Sequence, residues 1–450
     1  MRDIVLMTIV AVFSSIGLVR PLVGILLFSW LAFFSPQSYV WGFGKTFPLS
    51  QVAAIGTIAG CFLGRETKRF PWCRESILLL ALWAVFGVSS IFALYPAFSF
   101  ELFFYLSKML LMVFLTMLLI NDKSRLEMFL RVAAISMGLY GLKAGIFVLA
   151  SGGEQTVYGP EQSFLAANNS IGLALAINVP LLYYLWKTET RKWLRWLVGA
   201  MMFLSIPAVI CTFSRGAWLG LGVAAGMLVL RSKQRFMIMP VAGILAGFLF
   251  TAVPQLIPVP VAERFFLLEH YEVNESAESR FWNWEFCKRV GLARPITGGG
   301  IAFSSIETYA TYYPEFLDRW PGKVWTCHSI WFGIFGGHGF PGIMIWVGLL
   351  ISCMLSLRQM RAYARTYPDL AWIGLLAECI QTALLAYMVV GTFLDAQYFD
   401  LFYYLVALVT IVRAIVGNTL LAALSASANF AAAGRSSQYP IMGVKDRQLA

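Results

Sequence analysis

Residues 328–356 read HSIWFGIFGGHGFPGIMIWVGLLISCMLS, without a single Asp, Glu, Lys or Arg. As a helix rising about 1.5 Å per residue, the run exceeds the ~30 Å hydrocarbon core of a bilayer. The stretch ahead of it, Pro254 to Cys327, is the reverse, the only long polar segment of the chain. The three histidines, His270, His328 and His338, all lie in that segment or just beyond it. A water-facing segment therefore runs directly into a membrane span at His328-Ser329, and chemistry is expected at that junction.

Apolar runs of similar character recur along almost the whole chain, which is 59% hydrophobic, 13% charged and has a mean hydropathy of +0.73. A soluble protein of this length needs far more polar surface. The runs are continuous rather than alternating, which argues for helices and against a β-barrel. The expected fold is an all-α, polytopic integral membrane protein. Spans read near 50–64, 76–94, 100–120, 128–150, 165–186, 196–213, 216–230, 236–253, 328–356, 371–391 and 401–416. Two further apolar runs, 4–19 and 20–35, open the chain.

The net charge of +11 could point to nucleic acid, but its distribution does not. Arg65, Lys68, Arg69 and Arg74 share one short loop, and Lys187, Arg191, Lys192 and Arg195 another. Lys123 and Arg125, Arg231 to Arg235, and Arg358 to Arg365 follow the same pattern, whereas the alternate loops 95–100, 151–163 and 391–400 carry almost none. That is positive-inside patterning, and it places the basic loops in the cytoplasm. With both opening runs counted as spans the parity fails, so one of them is expected to be a partial or interfacial helix. This leaves about twelve spans with both chain ends inside. The expected organisation is transmembrane helices over 1–253, one large periplasmic loop over 254–327, further transmembrane helices over 328–416 and a mobile cytoplasmic tail over 417–450.

The loop holds seven Lys/Arg against nine Asp/Glu, which is no nucleic-acid patch. Pro254, Pro258 and Pro260 break any helix at its start. Ser276 to Val290, with Trp282, Trp284 and Phe286, reads as an amphipathic helix able to lie on an interface. Gly298-Gly299-Gly300 makes a permissive turn, but without a following Lys-Ser/Thr it is no nucleotide cradle. The seven cysteines show no C-x-x-C spacing; Cys287 and Cys327 could face an oxidising compartment, and sequence cannot pair them. No cleavable signal is evident, because the first apolar run lacks a small-residue cleavage site. No pattern points to a metal or a cofactor.

Several charged residues sit where a membrane protein seldom keeps them. Lys108 and Lys143 lie inside apolar spans, about 12 Å below the outer surface by helix rise. Each marks either an anion site or a side chain that snorkels to the interface. Arg215, after Ser214, opens a span at its outer end, where free N–H groups and the helix dipole favour an anion and the guanidinium fork suits phosphate. Its bland reading is an interfacial anchor, and that of Arg280 is one charge on a solvated loop. Asn168 and Asn169 could bond sugar hydroxyls or satisfy helix contacts. Asp395, on the last outer loop, could orient another group. His328 could accept a proton at neutral pH, or serve as a hydrogen-bonded structural residue. His338 lies about 15 Å of helix rise further on, so both can reach one hydroxyl only if Gly336-Gly337 and Gly339 break the helix.

At these residues the chain resembles the O-antigen ligase / O-oligosaccharyltransferase superfamily. The family pattern of His-Ser, nine residues, then Gly-x-x-Gly stands here as His328-Ser329 followed by Gly339-Phe340-Pro341-Gly342. Ser214-Arg215-Gly216-Ala217 corresponds to its Ser-Arg-Gly-Ala before a span. Arg280, Trp284 and Gly298 to Gly300 correspond to its external loop. The motifs cover roughly 165–345, with Ser329 in place of the commoner Asn. The opening, Pro21 to Phe43, is similar to an exosortase-associated subgroup, which leaves the acceptor open. The resemblance implies metal-independent, inverting glycosyl transfer at the periplasmic face of the bacterial inner membrane, without a cofactor. The donor would be a glycan on undecaprenyl diphosphate, and the acceptor a hydroxyl of lipid A–core or of a protein. On that basis His328 is the candidate base, with His338 second. Arg215, Arg280, Lys108 and Lys143 are diphosphate candidates, and Asn168, Asn169 and Asp395 are sugar-binding or orienting candidates. A glycan polymerase of the same superfamily and a lipid-linked glycan transporter are the competing readings; no internal repeat favours the transporter.

Overall fold

The computed structural model describes residues 1–232 and 275–432, and every regular element among them is a helix. The chain is an all-α polytopic membrane protein, with nine helices among the described residues long and apolar enough to cross a bilayer. The span expected at 236–253, the prolines at 254, 258 and 260, His270 and the tail beyond 432 lie outside the described residues.

The first four helices are α1 (Arg2–Val19), α2 (Pro21–Phe34), the single turn α3 (Phe43–Thr46) and α4 (Leu49–Leu63). Without a hydrophobic drive between helices in lipid, close approach at small residues supplies the packing. A Cβ at Gly60 would fall 2.0 Å from the carbonyl oxygen of Gly17, and one at Gly24 would fall 2.3 Å from Thr57 Oγ1. These contacts let α1, α2 and α4 run side by side. Asp3 Oδ1 accepts from the N–H groups of Gly42 and Gly44, both at 3.1 Å. Ser38 Oγ in turn donates to Glu161 O in the 151–167 loop. Gly64, beside the basic Arg65 loop, instead abuts Val19 and Pro21. Asp3 thus stands at the end of α1 away from the Arg65 loop, and α2, at 14 residues, is shorter than the nine candidate spans.

The bundle continues with α5 (Arg74–Ile91), α6 (Pro96–Leu119), α7 (Lys123–Ala150), α8 (Asn168–Thr188), α9 (Lys192–Ile210) and α10 (Arg215–Arg231). Helix α8 is buried on nearly every side and packs against α7, α9 and α10. Its Asn178 donates to Ala134 O of α7 at 3.0 Å. Hydroxyls inside the bundle bond back to their own helix: Ser90 to Phe86 O and Thr116 to Met112 O. This satisfies polar groups where water is absent. At the basic end, buried Glu75 accepts from Ser352 and Ser356, both at 2.6 Å, and pairs with Arg413 at 2.8 Å. Arg125 pairs there with Glu66, and Arg231 with Glu378.

The opposite end carries α11 (Glu275–Ala293), α12 (Ile306–Tyr312) and α13 (Pro314–Arg319), followed by the long α14 (Ile330–Thr366), then α15 (Ala371–Gly391) and α16 (Asp400–Ala432). Helix α16 continues well past Gly417, where the sequence suggested an unstructured tail. The expected amphipathic helix is α11, but its apolar side faces protein: Phe286, Cys287 and Val290 are fully buried. They join an aromatic stack in which Phe286 lies 3.7 Å from Tyr309 and Tyr309 lies 4.3 Å from Phe316, centroid to centroid. A Cys287–Cys327 disulfide fastens α11 to the residue before His328.

Helix α14 breaks at Gly339, whose φ is +63°. Pro341 has no N–H for the carbonyl of Gly337, and Phe340 donates to Pro295 O at 2.8 Å instead of to Gly336. Two carbonyls are thereby freed. Gly299 N donates to Gly336 O at 2.8 Å and Gly300 N to Gly337 O at 2.9 Å. The triple-glycine turn is thus a backbone clasp on a broken helix. Side chains would not fit: a Cβ at Gly298 would fall 2.3 Å from Gly337 C.

Candidate active site

Four segments meet where α14 begins: the turn ahead of α10, the helix α11, the junction 326–331 and the loop 392–399. His328 has φ +48°, in the left-handed region that non-glycine residues seldom occupy. Asp395, 67 positions away, holds that conformation. Its Oδ1 accepts from the backbone N–H of His328 at 2.9 Å, and its Oδ2 lies 3.3 Å from His328 Nδ1. Thr326 Oγ1 also donates to Oδ2. Burial pushes the Asp395 carboxyl above the ordinary aspartate range, while the imidazole, Thr326 and Gln397 oppose that shift. With Asp395 on Nδ1, Nε2 is the ring nitrogen left for another partner, in a side chain that is 38% exposed. This is the arrangement of a general base with an orienting carboxylate. Trp331 Nε1 donates to Thr392 Oγ1 at 3.0 Å, tying α14 to the Asp395 loop.

Arg215 is the first residue of α10, whose N-cap Ser214 accepts from Ala217 N. Gly216 packs against Val390 and Phe393, so this helix start lies on the Asp395 loop. Arg280, from α11, places its guanidinium 5.8 Å above the Phe393 ring. Trp284, one turn further along α11, stacks on Phe332 at 5.4 Å and lies 6.2 Å from Phe393. Burial, and then the charge of Arg215, hold the Arg280 guanidinium below its ordinary value. Among the described residues no carboxylate forms an ion pair with Arg280. Two guanidinium groups held within electrostatic reach of each other, at a helix N-terminus, form a setting for a polyanion.

Of the remaining sequence candidates, Asn168 touches the turn ahead of α10 and His338 the far end of the 392–399 loop. His338 is fully buried; its Nε2 lies 2.6 Å from Tyr398 OH and its ring 4.4 Å from Phe86. It sits inside the bundle just before the break and is not brought to the His328–Asp395 pair. Lys108 lies exposed on α6. Lys143 lines a different cavity, its Nζ 4.8 Å over the Tyr39 ring. Asn168 donates to Thr212 O at 2.9 Å, so it braces the turn leading into Arg215, with Asn169 half-buried beside it. Among the described residues no three His, Cys, Asp or Glu side chains gather to hold a metal ion. Sequence reading missed Thr326, Thr392, Phe393 and Gln397. They carry no motif, and only the folding of the 392–399 loop onto the junction gives them a part.

Comparison with known proteins divides the chain in two. Residues 1–190 match a family of unknown function, and residues 200–347 match the O-antigen ligase family. No curated protein matches the chain. The second match spans Arg215, Arg280, the glycine clasp and His328, so the part of the chain that holds these residues is similar to the O-antigen ligase family.

Proposed function

We propose that the protein transfers a glycan from undecaprenyl diphosphate to a hydroxyl of lipid A–core, with inversion and without a metal, at the periplasmic face of the inner membrane. The observation that carries this reading is the His328–Asp395 pair beside the Arg215–Arg280 pair. The acceptor oxygen attacks the anomeric carbon on the face opposite the diphosphate, and its proton passes to His328 Nε2. The anomeric C–O bond breaks, and its electron pair leaves with the diphosphate. Arg215 and Arg280 meet that growing charge with fixed cations, the kind of preorganised stabilisation that accelerates such steps most. Asp395 orients the imidazole through Nδ1 and stabilises the imidazolium that the step forms. The Cys287–Cys327 disulfide supports an oxidising, extracytoplasmic location for this end, and the basic loops at the other end support a cytoplasmic one.

Two relatives of this chemistry use the same groups, namely transfer to a protein hydroxyl and polymerisation of lipid-linked repeats. Product analysis separates them from ligation. His328→Ala is expected to lower transfer roughly 10²–10⁴-fold at unchanged folding, the usual range for a lost general base. Near-normal turnover in that variant would remove His328 from the reaction.

A further inference from the structure

The Phe393 ring lies where the start of α10, the helix α11 and the 392–399 loop meet. Arg280, on α11, holds its guanidinium 5.8 Å from the ring centroid. On the α10 side, a Cβ at Gly216, the residue after Arg215, would lie 3.8 Å from Phe393 Cβ, an ordinary van der Waals contact. Trp284 of α11 lies 6.2 Å from the same ring and itself stacks on Phe332 of α14 at 5.4 Å. The backbone beneath the ring is fixed as well. Phe393 N donates to Val390 O at 3.0 Å, and the neighbouring Thr392 accepts from Trp331 of α14. Asp395, which holds His328, follows two positions later.

This placement meets a physical need. The charge of Arg215 reaches Arg280, and two guanidinium groups brought together repel each other while no anion is bound. The usual remedy is a carboxylate, yet among the described residues none forms an ion pair with Arg280. A carboxylate would also neutralise the charge and occupy the planar N–H fork that suits phosphate. An aromatic ring does neither. Its quadrupole attracts a cation within about 6 Å of the centroid, and it leaves the N–H donors available.

We infer that Phe393 is a positioning residue for Arg280: its ring holds the guanidinium ready for a diphosphate while leaving the charge and the N–H donors to that ligand. The inference rests on the reading of Arg215 and Arg280 as the diphosphate site. Leu394 alone separates Phe393 from Asp395. One short loop therefore sets both the guanidinium that receives the leaving group and the carboxylate that orients the base.

The test uses the full chain in nanodiscs with EDTA and geranyl diphosphate as the probe, its dissociation constant read by calorimetry against empty nanodiscs. Position 393 carries phenylalanine, its mono-, di- and trifluoro analogues, tyrosine or leucine. Each fluorine withdraws charge from the ring face and barely alters its shape, so affinity should fall stepwise along the series at an unchanged thermal midpoint. Phe393→Leu should bind roughly twofold to thirtyfold more weakly, the range for a lost cation–π contact, and Phe393→Tyr nearly as wild type. The fluorine resonance of the monofluoro analogue should also move on Arg280→Gln, a reading that needs no ligand. A flat series, or a resonance indifferent to Arg280→Gln, would overturn the inference, because a ring that only fills space leaves both unmoved. Wild type that binds no geranyl diphosphate would overturn it together with the diphosphate reading of the two arginines. Graded binding in a protein that transfers no glycan would support it and sink the transfer reading alone. A flat series in a protein that does transfer would sink the inference alone.

Discussion

In the proposed reaction Asp395 decides the chemistry, because it fixes both the backbone and the ring of His328. Its carboxylate is present above its raised pKa and lost as pH falls through it, so transfer should begin to fail at a higher pH than an ordinary Asp (about 3.9) would set. Stability runs the other way. A carboxyl whose folded pKa is raised contributes most below the unfolded pKa, and that contribution is lost as pH rises through the folded one. Activity and thermal midpoint measured across the acid range should therefore move in opposite senses on account of this residue, and parallel profiles would contradict the assignment. Asp395→Asn should cut kcat on the order of 10²-fold or more, since an amide can stabilise the wrong imidazole tautomer. His328 and Arg215 are legible in the sequence, because each is embedded in a motif at a span boundary. The partnership of His328 with Asp395 is not legible, since 67 residues separate them and only the folded loop joins them.

Among the elements, the break in α14 organises the site. The cluster Gly336-Gly337-Gly339 followed by Pro341 makes a break readable from sequence, but where the freed carbonyls find donors is readable only from the fold. Gly339→Ala should destabilise the protein by roughly 1–3 kcal/mol for the left-handed backbone alone. Its Cβ would also fall 2.3 Å from Pro295 O. A thermal midpoint in detergent checks this, and an unchanged midpoint would mean the clasp is dispensable. The disulfide spans a separation of 40 residues. In the chain-entropy account a loop of that length stabilises by about 4 kcal/mol. The double variant Cys287→Ser/Cys327→Ser should therefore expose the 275–329 segment to protease at temperatures where the wild type resists. Sequence could nominate these two cysteines but not pair them, because the pairing depends on α11 lying along α14.

Across the whole molecule, hydropathy and charge suffice for the helical membrane class, since the bilayer leaves little else open to such a chain. They do not suffice for the path of the first two helices, which depends on glycine contacts among α1, α2 and α4 that no hydropathy profile weighs. Nor do they foretell Glu75, buried at the basic end and shared by Ser352, Ser356 and Arg413. Removing one partner of such a cluster leaves a buried charge uncompensated, so Glu75→Leu should cost about 3–5 kcal/mol. Activity per folded molecule should stay unchanged, because the cluster stands at the end opposite His328. The central claim is that the loop end carries a glycosyl-transfer centre built on His328. It is tested most directly with purified protein, undecaprenyl-diphosphate glycan and lipid A–core in EDTA, comparing wild type with His328→Ala. The account expects glycosylated core lipid from the wild type and none from the variant. Equal product from both, or no turnover of the donor by either, would contradict it.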